Sequence, residues 1–503
     1  MVGGGRRAIR PPSRAPAPAV SPPRVSGNVD PILESLGRAV RGSVRTDRTA
    51  LDPFDHDASH VPGHAVAVVA PRDADDVVAL VLWARAHAVP LVARGAGTSM
   101  EGESVPIAGG VVVDLSGWNA ILEVRPEERS ARVGPGTVNR DLHDALAPHG
   151  LFFPPNPGSW TVATIGGHVG TNASGPRSFR YGPTRAWIRS VDAVLGTGER
   201  VRWGSGVAKR SVGPDLLSLF VGSEGTLGIA TEVTVRLAVR PAIREGVVVA
   251  LPAGASLGRV AGALARARGT GLSAVEYLDR VCAAELSGAG GFDRREDGAL
   301  LLLEVEADDP EEQRGRLGRL RDVLRRAGVT AEPVVYDDAD ALWTLRGRAG
   351  VALDQRFGTR VREDVAVPLE EVDRLVGELE RIATVERAPL YLFAHLGEGS
   401  LHPNYAVDPA GPTGGRVRGA VLTASIALGG TISAEHGIGA LKSPFLEREI
   451  GSPGVRVLRA LKLACDPAGI LNPGKLYPAP PDEGAGRPSP SPSGPAGGAI
   501  RPA

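Results

Sequence analysis

The chain has 503 residues, about 42% of them hydrophobic, and 57 basic residues balance 57 acidic ones. Single cores rarely grow past roughly 250–300 residues, so this length implies two to four domains. The neutral balance offers no basic face for nucleic acid, and no apolar run approaches the roughly 18–20 residues of a membrane span. Two distant cysteines, Cys282 and Cys465, exclude an iron–sulfur domain and a disulfide framework in this chain. A reducing compartment fits, either the cytoplasm or the periphery of a membrane facing it.

Residues 1–28 are rich in Pro, Ala, Gly and Arg and contain no acid. Arg6 and Arg7 suggest a twin-arginine signal, but no apolar stretch follows and the prolines oppose a helix. A disordered segment is the expectation. From 64 the pattern becomes regular. "HAVAVVA" predicts a strand, and "DADDVVALVLWARAHAV" (73–89) a helix opened by aspartates, which suit a positive N-terminus. Strands follow at "PLVA", "GGVVVDL", "AILEVR" and "SARVGPG", then a helix over 137–150 that ends in Gly150. This order suggests an α+β unit rather than a long doubly wound series.

Residues 151–240 are dense in glycine and close with the hairpin "SVDAVLGTGERVRW" and the strand "TEVTVRL". Between 243 and about 390, strands at "EGVVVALP", "SAVEYLD" and "ALLLLEVEA" alternate with helices over 254–268 and 309–327. Leu317, Leu320 and Leu324 share one face of the second helix. An antiparallel sheet covered by helices is expected there. Helices return at 415–428 and 453–465, and the Pro/Gly/Ser tail 479–503 has nothing to bury.

Three glycine-rich loops follow or precede strands: "PLVARGAGTSMEG" (90–102), "PPNPGSWTVATIGGHVGTNASGPRSFRYG" (154–182) and "VGSEGTLGI" (221–229). Backbone N–H groups freed of side chains can approach a phosphate closely. None of the loops is a G-x-G-x-x-G fingerprint or a P-loop. A large dinucleotide with a pyrophosphate and two ring systems would account for all three. Nearer the C-terminus, "AHLGEGSLHPN" (394–404) and "GGTISAEHGIG" (429–439) set His395, His402, Glu435 and His436 in glycine frames. Two imidazoles and a carboxylate are the ligand set of many divalent sites that keep an open position.

From about residue 50 to 477 the chain resembles the FAD-linked oxidases of the vanillyl-alcohol-oxidase superfold, in the branch of D-lactate dehydrogenase and the glycolate oxidase flavin subunit. "RGAGTS", "TIGGHVGTNASG", "RYG", "GSEGTLGI", "HLGEGSLHPN", "EHGIG" and "DPAGILNPGK" stand in that family's order. The resemblance implies an α+β fold: a two-subdomain PCMH-type FAD-binding domain over 30–240, an α/β substrate cap over 241–429, and a segment 430–478 that returns to the first domain.

It also implies that Arg94, Gly95, Ala96, Gly97, Thr98 and Ser99 cradle the pyrophosphate. Pro155, Gly158, Ser159, Thr161, Gly166, Gly167, Thr171, Asn172 and Gly175 would line flavin and ribityl. Glu224 and Ile229 would lie near the adenine side, and Asn472 would reach the isoalloxazine. Some relatives attach flavin to a histidine in the first loop. Thr98 stands in its place here, so the FAD is expected to be non-covalent, with His168 as a wall residue. The family places a divalent metal, zinc or manganese, on the positions of His395, His402 and Glu435, which leaves His436, near its ordinary pKa, as an acid–base group. Arg346 would hold the substrate carboxylate, with Arg362 and Asn404 as further contacts.

Relatives carry Asp and Asn where this chain has Glu398 and Ser400, and often Asp at Asn156. The implied activity is oxidation of a D-2-hydroxy acid to the 2-oxo acid. The acceptor would be a quinone, a cytochrome, an electron-transfer flavoprotein or an iron–sulfur protein, and the assembly a homodimer. An alkylglycerone-phosphate-synthase-like transferase, or a flavin-carrying subunit of a multi-subunit oxidase, are the alternatives.

Overall fold

The computed structural model describes residues 29–288 and 298–478. The terminal segments expected to be disordered, 1–28 and 479–503, lie outside the described residues.

The first sheet has the strand order Ser43–Arg45, Ala67–Ala70, Val111–Asp114, Leu91–Arg94. Val111–Asp114 pairs in parallel with both Ala67–Ala70 and Leu91–Arg94. The helix expected after the first of these runs Ala74–His87; Asp73 caps it by accepting from the N–H groups of Asp75 and Asp76. Its buried face, Val77, Leu80, Val81 and Ala84, packs on the sheet. A helix not anticipated from the sequence, Val29–Ala39, adds Leu36 to the same core. The C-terminal segment returns here: the Leu91 N–H donates to the Ile470 carbonyl, and Ile470 and Leu471 are buried in this core.

The second sheet is antiparallel, in the order Ile121–Arg125, Ser130–Val133, Gly228–Arg236, Ile188–Leu195, Arg200–Gly204. Gly198, at φ +89°, turns the hairpin between its last two strands.

The third sheet has eight strands, all antiparallel, built on Ile243–Leu251, Ala299–Ala307, Leu272–Leu278, Leu390–His395 and Ser400–Tyr405. Helices Leu257–Ala265, Pro310–Arg326 and Val372–Glu386 cover one face through Leu264, Leu320, Leu324, Leu375 and Leu379. Helix Ala339–Phe357 and Arg280–Gly288 pack on the other, around Leu278, Leu302, Leu342 and Leu353. The final helix spans Leu446–Cys465 and breaks at Gly451, just before Pro453, because proline cannot continue the ladder.

Candidate active site

All three glycine loops line one cavity of about 450 Å³, together with Trp343, Arg346, Arg362, Phe393, His395, His402, Asn404, Glu435 and His436. Gly95 brings the first loop against the second: a Cβ there would lie 2.1 Å from Thr164 Oγ1. Thr164 also caps the short helix Ile165–Thr171 by accepting from the Gly167 N–H. At Gly158 and Gly170, by contrast, a Cβ would meet nothing within 4 Å, so bare backbone faces the open space. A cleft walled by backbone fits a large flat dinucleotide.

Of the expected cofactor residues, Arg94 through Ser99, Gly158, Ser159, Gly166, Gly167, Thr171 and Glu224 line the cavity. Six do not. Pro155 is buried and its carbonyl accepts from Asn139. Thr161 is exposed to solvent. Asn172 ends its helix at φ +55° and accepts from the Arg185 N–H. Gly175 abuts the Asn156 carbonyl. Ile229 is buried in the first core. Asn472 donates to the carbonyls of Glu103 and Glu224 and accepts from Lys475, so its amide braces loops instead of reaching a ring.

Two side chains that line the cavity have other work than expected. The Arg94 guanidinium donates to the Ser104 and Pro53 carbonyls and lies over Phe54. Glu224 accepts from the N–H groups of Ile438 and Gly439, which puts it beside the His436 turn. His168 is a wall residue, as expected: it is buried, lines the cavity and keeps Nε2 without a partner.

The histidine spacing resolves into a hairpin. His395 pairs with Ser400 across it, and His402 with Phe393, so the two imidazoles are diagonal neighbours on one face. Their ring centroids are 4.8 Å apart. His395 Nε2 lies 3.2 Å from Glu435 Oε1, and His402 Nε2 lies 3.4 Å from the same oxygen. On the neighbouring strand Glu276 stands directly opposite His395 and accepts from its Nδ1 at 2.5 Å. A carboxylate behind Nδ1 turns Nε2 inward, where a bound cation would take the place of its proton. His402 Nδ1 likewise faces Asp364 Oδ1, at 3.7 Å. The three ligand atoms of His395, His402 and Glu435 lie within 4.8 Å of one another. Converging, oriented and almost fully buried donors of this type fit a divalent cation.

Charge behaves accordingly. Burial opposes a charged His395, but Glu276 and Glu435 outweigh it and hold the imidazole well above its ordinary range. Glu435 is held well below its own, burial being outweighed chiefly by His395. Burial and the neighbouring His395 push His402 down to about 3. His436 departs from the expectation of an ordinary value: burial is outweighed by Asp364 and Glu435, and its pKa is raised. Glu435 is the carboxylate that a cation would neutralise, so a bound dication acts to lower His436 again.

Arg346 comes from helix Ala339–Phe357 and lies over Phe393. Its Nε and Nη2 donate to Glu276, at 2.9 and 2.8 Å, which leaves the Nη1 edge for a second carboxylate. Arg362 pairs with Asp354. Asn404 accepts from Arg360 and donates to the His402 carbonyl, so it serves the strand first and has one N–H to spare. Glu398 receives the Ser178 hydroxyl, and Asn156 accepts from the Arg177 N–H.

Sequence reasoning missed Glu276, Asp364, Arg360 and the fully buried Lys442, which pairs with Glu101 at 3.1 Å. Glu276 had a signal: a single carboxylate inside the apolar run "SAVEYL" is seldom buried without a partner.

The sequence matches the model of the FAD binding domain over residues 65–204 and that of the FAD linked oxidases' C-terminal domain over 240–476. It is 33% identical over 418 residues to the glycolate oxidase subunit GlcD of Bacillus subtilis, covering 82% of this chain and 88% of that one. It is 31% identical over 451 residues to a D-2-hydroxyglutarate dehydrogenase of Stutzerimonas stutzeri, covering 87% and 96%. The structure of p-cresol methylhydroxylase with substrate bound superposes with a TM-score of 0.77 at 16% identity, over 90% of this chain and 98% of that one, a likeness of fold. The protein is therefore a member of the FAD-linked oxidase family, related to glycolate oxidase and to D-2-hydroxy-acid dehydrogenases.

Proposed function

We propose that the protein oxidises a D-2-hydroxy acid to the 2-oxo acid, with His395, His402 and Glu435 holding a divalent cation and His436 acting as the base. The observation that carries this reading is the convergence of two Nε2 atoms on one Glu435 oxygen, with Glu276 and Asp364 behind the opposite ring nitrogens. When bound, FAD supplies the hydride acceptor and the cation supplies the Lewis acidity that brings an alcohol proton within reach of a histidine.

The chain's own residues do the rest. Arg346 presents its open edge to the substrate carboxylate and keeps its position through Glu276 and Phe393. His436 Nε2, 3.5 Å from Glu435 Oε1, takes the hydroxyl proton, while its Nδ1 faces Glu101 at 3.9 Å. FAD, which the loops carrying Arg94–Ser99, Gly166 and Gly167 would hold, would be the acceptor for the C2 hydrogen. Phe393 and Trp343 add aromatic surface to the cavity beside Arg346. The relatives' names support a hydroxy acid as substrate.

A dye-reduction screen over D- and L-2-hydroxy acids, before and after chelation, tests the proposal. Turnover is expected with D acids alone and is abolished by chelation while FAD stays bound. Equal turnover of L acids, or full activity in rigorously metal-free protein, would refute it.

A further inference from the structure

Glu435 and His436 sit in a stretch without regular secondary structure, yet their placement has to hold to within tenths of an ångström to serve a cation. Two buried carboxylates fix that stretch. Asp364 Oδ2 accepts from the Ser433 hydroxyl at 3.1 Å and from the N–H groups of Ala434, Glu435 and His436 at 2.9, 2.8 and 2.9 Å. Glu224 takes the N–H groups of Ile438 and Gly439 at 2.7 and 2.9 Å. Three consecutive N–H groups on one oxygen form an anion nest closed by a side chain of the protein itself.

The second oxygen of Asp364 points elsewhere. Oδ1 is buried without a hydrogen-bond partner, 3.7 Å from His402 Nδ1, which is also buried without one. An ionised oxygen in that position favours the proton on Nδ1 and so leaves the Nε2 lone pair toward Glu435. One carboxylate thus touches both halves of the ligand set. Asp364, His402 and His436 could by composition hold a cation of their own. That place is already served: Lys442 Nζ donates to the Asp364 carbonyl at 3.1 Å and stands 3.9 Å from Oδ2.

We infer that Asp364 is a positioning residue of the metal site. Its Oδ2 holds the turn that delivers Glu435 and His436, and its Oδ1 selects the His402 tautomer that can bind a cation. The inference rests on the metal reading of His395, His402 and Glu435.

Asp364→Asn separates the two roles. The amide oxygen still accepts from the turn, but the amide NH₂ now donates to His402 Nδ1 and drives the ring proton to Nε2. The expected result is a 10–100-fold loss of Zn²⁺ or Mn²⁺ affinity in chelator competition, the usual scale for a group that orients a ligand. FAD content should stay near that of the parent, while the thermal midpoint should fall, because a neutral oxygen replaces the carboxylate under the turn and beside Lys442. In metal-free protein with ¹⁵N-labelled histidine, the His402 signal, identified by His402→Gln, should change tautomer.

If the parent binds neither ion, the metal reading fails and the inference falls with it. If the parent binds and Asp364→Asn binds within twofold, or keeps the parent tautomer, the role of Asp364 alone is overturned. It is overturned as well if the variant loses FAD together with metal, or if the parent binds two ions and the variant one.

Discussion

Replacing Glu276 by Gln tests whether a single carboxylate organises both halves of the site. Glu276 is fully buried and accepts from Arg346 Nε and Nη2, at 2.9 and 2.8 Å, and from His395 Nδ1 at 2.5 Å. The Arg346 side chain is only 12% exposed, so solvent replaces little of what is lost. Removing one partner of a buried pair outright costs about 3–5 kcal/mol. Glutamine keeps one neutral acceptor for the guanidinium, so the expected loss is smaller, about 2–3 kcal/mol, the scale of a hydrogen bond to a charged group. The same substitution sets an NH₂ against His395 Nδ1 or leaves that nitrogen without its carboxylate. Metal affinity should therefore fall about 10–100-fold. Urea unfolding of the metal-free protein measures the first quantity, and chelator competition the second. Stability within about 0.5 kcal/mol of the parent, the ordinary range of surface substitutions, together with unchanged metal affinity, would show that Glu276 is a bystander and refute the reasoning.

Three further outcomes are expected. Acid precipitation should release all the flavin, because Thr98 stands where the family resemblance puts the flavin-linking histidine of some relatives; yellow colour in the pellet would contradict this. His436→Asn should keep FAD and metal but slow flavin reduction in stopped flow by about 10²–10⁴-fold, and loss of metal or a rate near the parent's would assign the base elsewhere. Stability should fall with acid, since burial, reinforced by His143, holds His168 down at about 3 in the folded protein. The unfolded chain takes that proton at about 6.5, so this contribution is intact above pH 6.5 and is lost as pH falls from there toward 3. By pH 5 the loss from His168 amounts to about 2 kcal/mol. Unfolding measured across pH should show the slope in the parent and a flatter one in His168→Gln.

Much of this protein is written in short stretches of its sequence. Asp73 marks a helix start because its cap bonds reach only two and three residues on. The Gly198 turn is set by a conformation few other residues adopt. The glycine loops were legible for the same reason, but that His395 and His402 share one face was not, since it depends on the register that pairs His402 with Phe393 and His395 with Ser400.

What stayed hidden depends on contacts between distant residues. Glu276 meets His395 across 119 positions, and Asp364 reaches the Glu435 turn across 71. Strand pairing at that range is decided by burial of whole sheet faces, which no local pattern encodes. The same competition reassigned side chains that the sequence could only nominate. Asn472 and Arg94 are polar groups in a buried setting, and there an unpaired donor costs more than a ligand contact returns, so backbone carbonyls claim them first. The sequence by itself determined which chemical groups gather near the glycine loops. Only the tertiary structure decided which of them remain free for a ligand, because that depends on which buried neighbours had to be satisfied first.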